Sequence, residues 1–288
     1  MGSSLFETGT AVEAAGHGRY RGELSEVWNC PIVPHGGIVT ATAARAMEAE
    51  LAHPDQQLRS ITAVFAAPVR PGPFVVDVTA LRRGRSMSQL TATLRNPDAD
   101  AGLTALAVFG GEREGFEFTD LEPPPDVPPP DACPSFRDDP PEGTEARLPF
   151  NFWEHVEGRA VIGHPPWEIF EPTSSLTAKW IRFDEPPRGD DGAWDPLAVL
   201  ALTDTMPGSA FERIGPDART RHVLPPSADL TVHHFDDAHC DWLLAVNHAR
   251  RATEGYASVD IEMWDIDGPH PNLVAYATQM MFFSFPAD

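Results

Sequence analysis

The sequence predicts an α+β protein made of two similar halves, each an antiparallel sheet packed on one helix. Three observations predict this class. The strand pattern of residues 59–109 recurs in residues 227–283, an apolar helix precedes each copy, and a proline-rich acidic segment separates the two copies. A chain of 288 residues is long enough for two domains of ordinary size.

The strands of each copy are rich in β-branched, aromatic and small residues that alternate along the chain, which is typical of a sheet with one covered face. In the first copy we expect strands at 59–65, 74–81, 87–94 and 103–109. In the second copy Phe235 corresponds to Phe65. Residues 273–277 correspond in the same way to residues 103–107. These matches indicate a duplicated unit.

Two strands, near 8–13 and 20–27, precede the first helix, which we expect at about 37–52. Gly36 and Gly37 at its start leave backbone N–H groups free of side-chain cover. The alanine-rich body that follows fits a thin helix held closely by a sheet.

The second half repeats this order, with strands near 152–161 and 176–183 ahead of its helix. Asp195 is an N-cap acceptor for that helix, and Pro196 suits its first turn. The helix should stop at residues 206–208, Met-Pro-Gly.

Strand, strand, apolar helix and four antiparallel strands is the order of a hotdog fold, in which a long sheet wraps around a central helix. Two tandem copies make a double hotdog, with two antiparallel sheets related by a pseudo-twofold axis. We expect an N-terminal hotdog at 1–115, a connector at 116–145 and a C-terminal hotdog at 146–288. The connector is acidic, and its proline density excludes helix and central strand alike.

Composition narrows the classes of partner. A formal charge of −22 argues against nucleic acid and anionic membranes, which need a basic surface. The chain has no apolar run near the ~18 residues of a membrane span and no leader-like start, so we expect a cytoplasmic protein. Cys30, Cys133 and Cys240 are odd in number and have no pair at metal or redox spacing, so no disulfide scaffold is expected. We expect no metal, because the histidines at 233, 234 and 239 have no acidic ligands at suitable spacing, and no cofactor, because the chain has no P-loop and no dinucleotide-binding glycine pattern.

Asp204 lies on the apolar stripe of the second helix rather than on a solvated face. That stripe consists of Leu197, Leu200 and Ala201. A carboxylate there costs several kcal/mol unless it is hydrogen-bonded, which favours a functional role. The alternative is a helix-end aspartate that caps a turn or reaches solvent near Pro207.

Two further polar residues are candidates for the same site. Gln279 shares one face of the last strand with Ala275 and Ala277, where it needs a polar partner such as Asp204. Ser227 begins the strand after the second helix, and its hydroxyl could complete the cluster, although a serine at a strand edge is more often structural.

Three short segments carry a resemblance to the acyl-CoA thioesterase II family of double-hotdog enzymes. They are Leu-Thr-Asp at 202–204, Ser-Ala-Asp at 227–229 and Ala-Thr-Gln at 277–279. The similarity extends over nearly the whole chain. It departs from the family at His35, which looks more like single-hotdog thioesterases, and at Leu230, where the family usually has histidine.

The resemblance implies hydrolysis of an acyl-CoA or related acyl thioester, within fatty acid metabolism. It makes Asp204 the general base and makes Ser227 and Gln279 the residues that orient the water. The helix start at residues 36–37 would serve the oxyanion, and His35 would bind substrate or merely cap the helix. The resemblance also allows homo-oligomers of double-hotdog chains.

Two alternative functions are a hotdog enoyl-CoA hydratase or dehydratase and a catalytically silent acyl-thioester-binding protein.

The two halves predict only one working site. The first half has Ala44 where the second has Asp204, and the second has Trp-Asp-Pro at 194–196 where the first has its glycine pair. We therefore expect the complementary pocket to be inert and filled.

Overall fold

Twelve antiparallel strands form one continuous sheet within residues 3–139, 142, 150–215 and 223–285, which the computed structural model describes. In the first half the strands are β1 (Glu13–Gly16), β2 (Arg19–Leu24), β3 (Gln57–Phe65), β4 (Gly72–Arg82), β5 (Met87–Arg95) and β6 (Leu103–Gly110). In the second half they are β7 (Val156–Ile162), β8 (Leu176–Phe183), β9 (Asp229–His234), β10 (Leu243–Thr253), β11 (Tyr256–Asp265) and β12 (Asn272–Phe282). The helices are α1 (Leu5–Gly9), α2 (Gly36–Leu51), α3 (Phe152–His155), α4 (Pro196–Thr203) and α5 (Gly208–Ile214).

The strand order confirms the predicted double hotdog. Across the sheet it is β1-β2-β4-β5-β6-β3-β9-β12-β11-β10-β8-β7, so the two edges lead inward through equivalent strands. The halves join where β3 pairs with β9, with Ile61 opposite Val232 and Ala63 opposite Leu230. The two predicted sheets are therefore continuous with each other through one antiparallel ladder.

Each half wraps around its own central helix, α2 or α4, and these two helices touch. A Cβ atom on Gly37 would lie 2.1 Å from the backbone oxygen of Ala201, so a glycine is needed where the start of α2 meets the end of α4. As predicted, α4 begins after the N-cap Asp195, whose side chain accepts a hydrogen bond from the Leu197 N–H. In the described ranges no helix is both long and apolar enough to cross a lipid bilayer.

The local predictions failed at three places. The strand expected near residues 8–13 begins only at Glu13, because Ser4 and Glu7 form a capping box that starts α1 ahead of it. In the second half, α3 occupies the beginning of the strand expected near 152–161, so β7 starts later. The second helix ends at Thr203, ahead of the predicted stop, and the chain then forms α5.

Part of the proline-rich segment packs on the second half. Cys133 is buried in a cluster with Trp180 and Leu244, and the Trp180 indole donates a hydrogen bond of 2.9 Å to the Pro128 carbonyl. The division of the chain at residues 115 and 145 stays a prediction.

Candidate active site

Asp204 caps the end of α4 and points its carboxylate at the start of α2. The residue is 6% exposed. The Gly37 backbone hydrogen-bonds the carboxylate, and a Cβ atom on Gly36 would lie 2.5 Å from its Oδ2 atom. Because the N-terminus of a helix is positively polarised, this placement favours the ionised carboxylate. The carboxylate of the second half and the glycine pair of the first half thus meet in one place.

Ser227 and Gln279 both donate hydrogen bonds to the Asp204 carboxylate. The Ser227 hydroxyl lies 3.0 Å from Oδ1, and the Gln279 amide nitrogen lies 2.6 Å from the same oxygen. The Gln279 amide also donates to the Ser227 hydroxyl. The three side chains singled out from the sequence therefore form one cluster, built by the end of α4, the approach to β9, and β12. The Gln279 carbonyl oxygen is buried without a partner among the described residues, and so remains available as an acceptor.

The ring of His35 connects the two halves at this site. His35 is the N-cap of α2, yet its side chain makes no capping hydrogen bond. The ring instead stacks on Phe152 of the second half, with centroids 4.0 Å apart and planes 12° from parallel. Its Nδ1 atom lies 3.9 Å from Asp204 Oδ2, which is too long for a hydrogen bond, and has no partner in the described part of the chain.

Burial dominates the electrostatics of the cluster. It raises the pKa of Asp204, against the lowering effects of His35 and of hydrogen bonds from Ser227, Gly37 and Gln279. A carboxylate with a raised pKa is a stronger base than an ordinary aspartate. Burial also lowers the pKa of the His35 imidazole, which keeps that ring neutral.

A thiol nucleophile and a metal ion are two other ways to cleave a thioester, and neither fits the described residues of this site. The nearby Cys30 thiol has its pKa raised to about 12 by burial and by the charge of Asp204, so it is not a thiolate nucleophile at neutral pH. Within the described residues no group of three or more His, Cys, Asp or Glu side chains is placed to hold a metal ion. The cluster supports activation of a bound water by a carboxylate.

Sequence reasoning missed two buried polar residues beside the cluster, Lys179 and Asn247. The Lys179 amine and the Asn247 amide both donate to the backbone oxygen of Thr205, at 2.8 and 3.1 Å. Lys179 could have been noticed in the sequence, because it is the single lysine of the chain.

The complementary position has no carboxylate equivalent to Asp204. Ala44 lies nine residues after the N-cap of α2, as Asp204 lies nine residues after the N-cap of α4. The Asp195 carboxylate at the start of α4 is neutralised by Arg45 at 2.5 Å. The pocket was expected to be filled, and Ala44 is fully buried. A cleft of about 630 Å³ borders Trp194–Pro196 and Glu48 but does not reach Ala44, so the inertness of this position stays a prediction.

Comparison with known proteins identifies the family. The acyl-CoA thioesterase N-terminal domain matches residues 24–110, and the acyl-CoA thioesterase C-terminal domain matches residues 130–283. The chain belongs to the acyl-CoA thioesterase family. As a member it is a thioester hydrolase, and the resemblance to thioesterase II proteins is confirmed. Among curated proteins, no match was found.

Solved structures show the same fold as this thioesterase. A protein of unknown function with a hot dog fold from Alicyclobacillus acidocaldarius is 28% identical, with a TM-score of 0.80 over 99% of this chain and 100% of that one. The acyl-CoA thioesterase II TesB2 from Mycobacterium marinum is 21% identical, with a TM-score of 0.75 over 98% and 99% of the two chains. The tesB protein of Mycobacterium avium subs paratuberculosis is 19% identical, with a TM-score of 0.71 over 97% and 98%.

Proposed function

We propose that this thioesterase hydrolyses an acyl-CoA, or a closely related acyl thioester, by attack of a water molecule that Asp204 activates. The observation that carries the proposal is the convergence of Ser227 and Gln279 on one oxygen of a buried carboxylate at the start of α2. Both donors come from elements outside α4, and the glycine pair of the other half lies against the second carboxylate oxygen, so the carboxylate is held where the two halves meet.

In the proposed reaction Asp204 takes a proton from the water as the water oxygen attacks the thioester carbonyl. Ser227 and the carbonyl oxygen of Gln279 orient the water. When the tetrahedral intermediate collapses, its C–S bond breaks, and the leaving thiolate takes the proton from Asp204, which gives a carboxylic acid and a free thiol and restores the Asp204 carboxylate. A general base of this kind contributes roughly 10² to 10⁴ in rate.

The developing oxyanion is assigned to the first turn of α2. The Gly37 N–H already contacts the carboxylate, so in this proposal the N–H of Gly36 is the first donor left for the substrate oxygen. The neutral ring of His35 lies beside the same turn, where its Nδ1, which has no partner among the described residues, can contact the substrate. Gly36, Gly37 and His35 thus form the proposed substrate-binding side of the site.

The two alternatives are a hotdog hydratase or dehydratase and a catalytically silent binding protein. A hydratase could use His35 and Asp204 as a pair without a hydrogen bond between them, so their 3.9 Å separation does not decide this alternative, and the enoyl-CoA assay does. The three free cysteines support a reducing, cytoplasmic setting for the proposed reaction.

Asp204→Asn tests the proposal directly. Steady-state hydrolysis of an acyl-CoA chain-length panel, followed with a free-thiol reagent, should show kcat lowered by about 10² or more in this variant. Glu48→Gln is the matched control, because it removes a carboxylate from the complementary cleft. Unchanged turnover in Asp204→Asn would refute the assignment, loss of enoyl-CoA absorbance would favour the hydratase, and no turnover of any thioester by the wild type would favour the silent protein.

A further inference from the structure

Lys179 stands out in composition before its position is considered. Of the 21 basic residues in the chain it is the single lysine, and the rest are arginines. It lies on β8 and is 8% exposed. Arginine carries a large planar head that stays charged, whereas lysine carries a compact head that can lose its charge when buried. A buried position such as this one therefore suits lysine better than arginine.

The Lys179 amine contacts the residue that follows the proposed base. It donates a hydrogen bond of 2.8 Å to the backbone oxygen of Thr205, and the Asn247 amide donates to the same oxygen at 3.1 Å. Lys179 pairs with Ala245 across the ladder between β8 and β10, so Asn247, two residues further on, shares its face of the sheet. Two donors from the sheet thus hold the carbonyl next to Asp204.

Other side chains hold the end of α4 in the same way. The Thr203 hydroxyl donates to the Leu200 carbonyl at 2.7 Å, and the Thr205 hydroxyl donates to the Leu202 carbonyl at 2.8 Å. The last carbonyls of a helix lack backbone donors, and Pro207 has no N–H to offer. The position of the residue that caps α4 therefore depends on side-chain donors around it.

We propose that Lys179 is a positioning residue for thioester hydrolysis. By holding the Thr205 carbonyl it fixes the end of α4 and keeps the Asp204 carboxylate against the start of α2. This inference rests on the proposed role of Asp204 as the base. Lys179 acts through the backbone, and a displacement of about 1 Å at a reacting group can lower a rate by about 10².

The charge state of Lys179 fits this role. Burial lowers the pKa of the Lys179 amine to about 7. Both the ammonium and the neutral amine have N–H groups, so the hydrogen bond to Thr205 persists on either side of that pKa. Burying an ammonium group is unfavourable for stability. Replacing Lys179 should therefore lower the rate if the residue positions Asp204, but should not lower the stability of the fold.

Lys179→Met tests the inference, with Ser209→Ala as the matched control. Methionine is unbranched like lysine, is one atom shorter, and has no donor. Ser209 is buried in the next turn, where its hydroxyl donates to the Met206 carbonyl at 3.2 Å. We expect Lys179→Met to lower kcat by about tenfold or more while KM changes less than about twofold. Its Tm should stay equal or rise, whereas Ser209→Ala should keep the wild-type kcat.

Two further variants keep the test decisive. Asn247→Leu should lower kcat in the same direction and serves in place of Lys179→Met if that protein fails to fold. The double variant should lose less than the product of the two single losses, because both side chains bind the same oxygen. In Lys179→Ala, added methylammonium should restore part of kcat.

The outcomes separate this inference from the proposed function. A kcat within about twofold of wild type in Lys179→Met, with Asp204→Asn inactive, overturns the positioning role alone. An equal loss of kcat in Ser209→Ala also overturns it, since general loosening would then explain the effect. Full activity in Asp204→Asn overturns the proposed base itself.

Discussion

A methyl group on Gly36 would lie 2.5 Å from Oδ2 of Asp204, so any side chain at this position would displace the carboxylate from the start of α2. Gly37 has a different neighbour, because its Cβ atom would lie 2.1 Å from the backbone oxygen of Ala201. One glycine therefore leaves room for a side chain of the proposed site, and the next leaves room for the backbone of α4.

The two glycines should respond differently to alanine. Gly37→Ala should lower the unfolding free energy by about 1–3 kcal/mol, because a helix backbone cannot move aside without strain. Gly36→Ala should lower kcat by about tenfold or more with a smaller effect on stability, because a carboxylate can shift. Gly208→Ala is the control, since a Cβ atom there meets no atom within 4 Å. Thermal melts and acyl-CoA kinetics give both readouts, and an unchanged kcat in Gly36→Ala would contradict this account of the site.

The pH profile of kcat/KM should report the buried carboxylate. Burial raises the pKa of Asp204, so activity should fall with decreasing pH at a point above the ordinary aspartate value of about 3.9. Ser227→Ala removes a hydrogen bond that lowers this pKa and should move the acid limb to higher pH. If kcat/KM falls only near the ordinary aspartate pKa, or if His35→Asn abolishes the fall at low pH, a group other than Asp204 controls the pH dependence.

Ser227 and Gln279 should act as a unit. Both bind Oδ1 of Asp204 and they bind each other, so Ser227→Ala and Gln279→Leu should each lower kcat by about tenfold or more. The double variant should lose less than the product of the two effects. Thr278→Val is the control, because Thr278 points to the exposed face of β12. Multiplicative losses would show that the two residues serve separate purposes.

The complementary cleft should affect stability rather than turnover. Burial raises the pKa of Glu48 to about 7, so the folded state favours its protonated form. The stability that this provides is complete below the unfolded pKa of about 4.3 and is lost as pH rises through about 7. Glu48→Gln should therefore raise Tm at pH ~8 and leave it nearly unchanged at pH ~4.

The control for this prediction is Glu50→Gln. The Glu50 carboxylate makes an ion pair of 2.7 Å with Arg83, so its loss should not raise Tm at either pH. An increase in Tm that is the same at both pH values in Glu48→Gln would contradict ionisation of Glu48 as the cause.

Sequence patterns predicted the elements whose signals are local or periodic. Asp204 was found because a carboxylate interrupts an apolar helical stripe, and Gln279 because a strand alternates its faces. The catalytic roles of these residues stay proposals. Lys179 was not predicted, because nothing in its own strand shows that the amine would point inward to a carbonyl at Thr205. Such a contact depends on where the end of α4 meets the sheet, which no local pattern encodes.

The two halves are held together by the pairing of β3 with β9, so their association does not depend on the peptide segment that links them. The ladder and the contact of Gly37 with Ala201 hold the halves together, whereas residues 111–121 join no strand and are mostly exposed. A chain divided in that segment should reassemble from two separately supplied pieces, in the manner of a split enzyme. One piece would bring the glycine pair and the other the carboxylate, so thioester turnover would itself report their reunion.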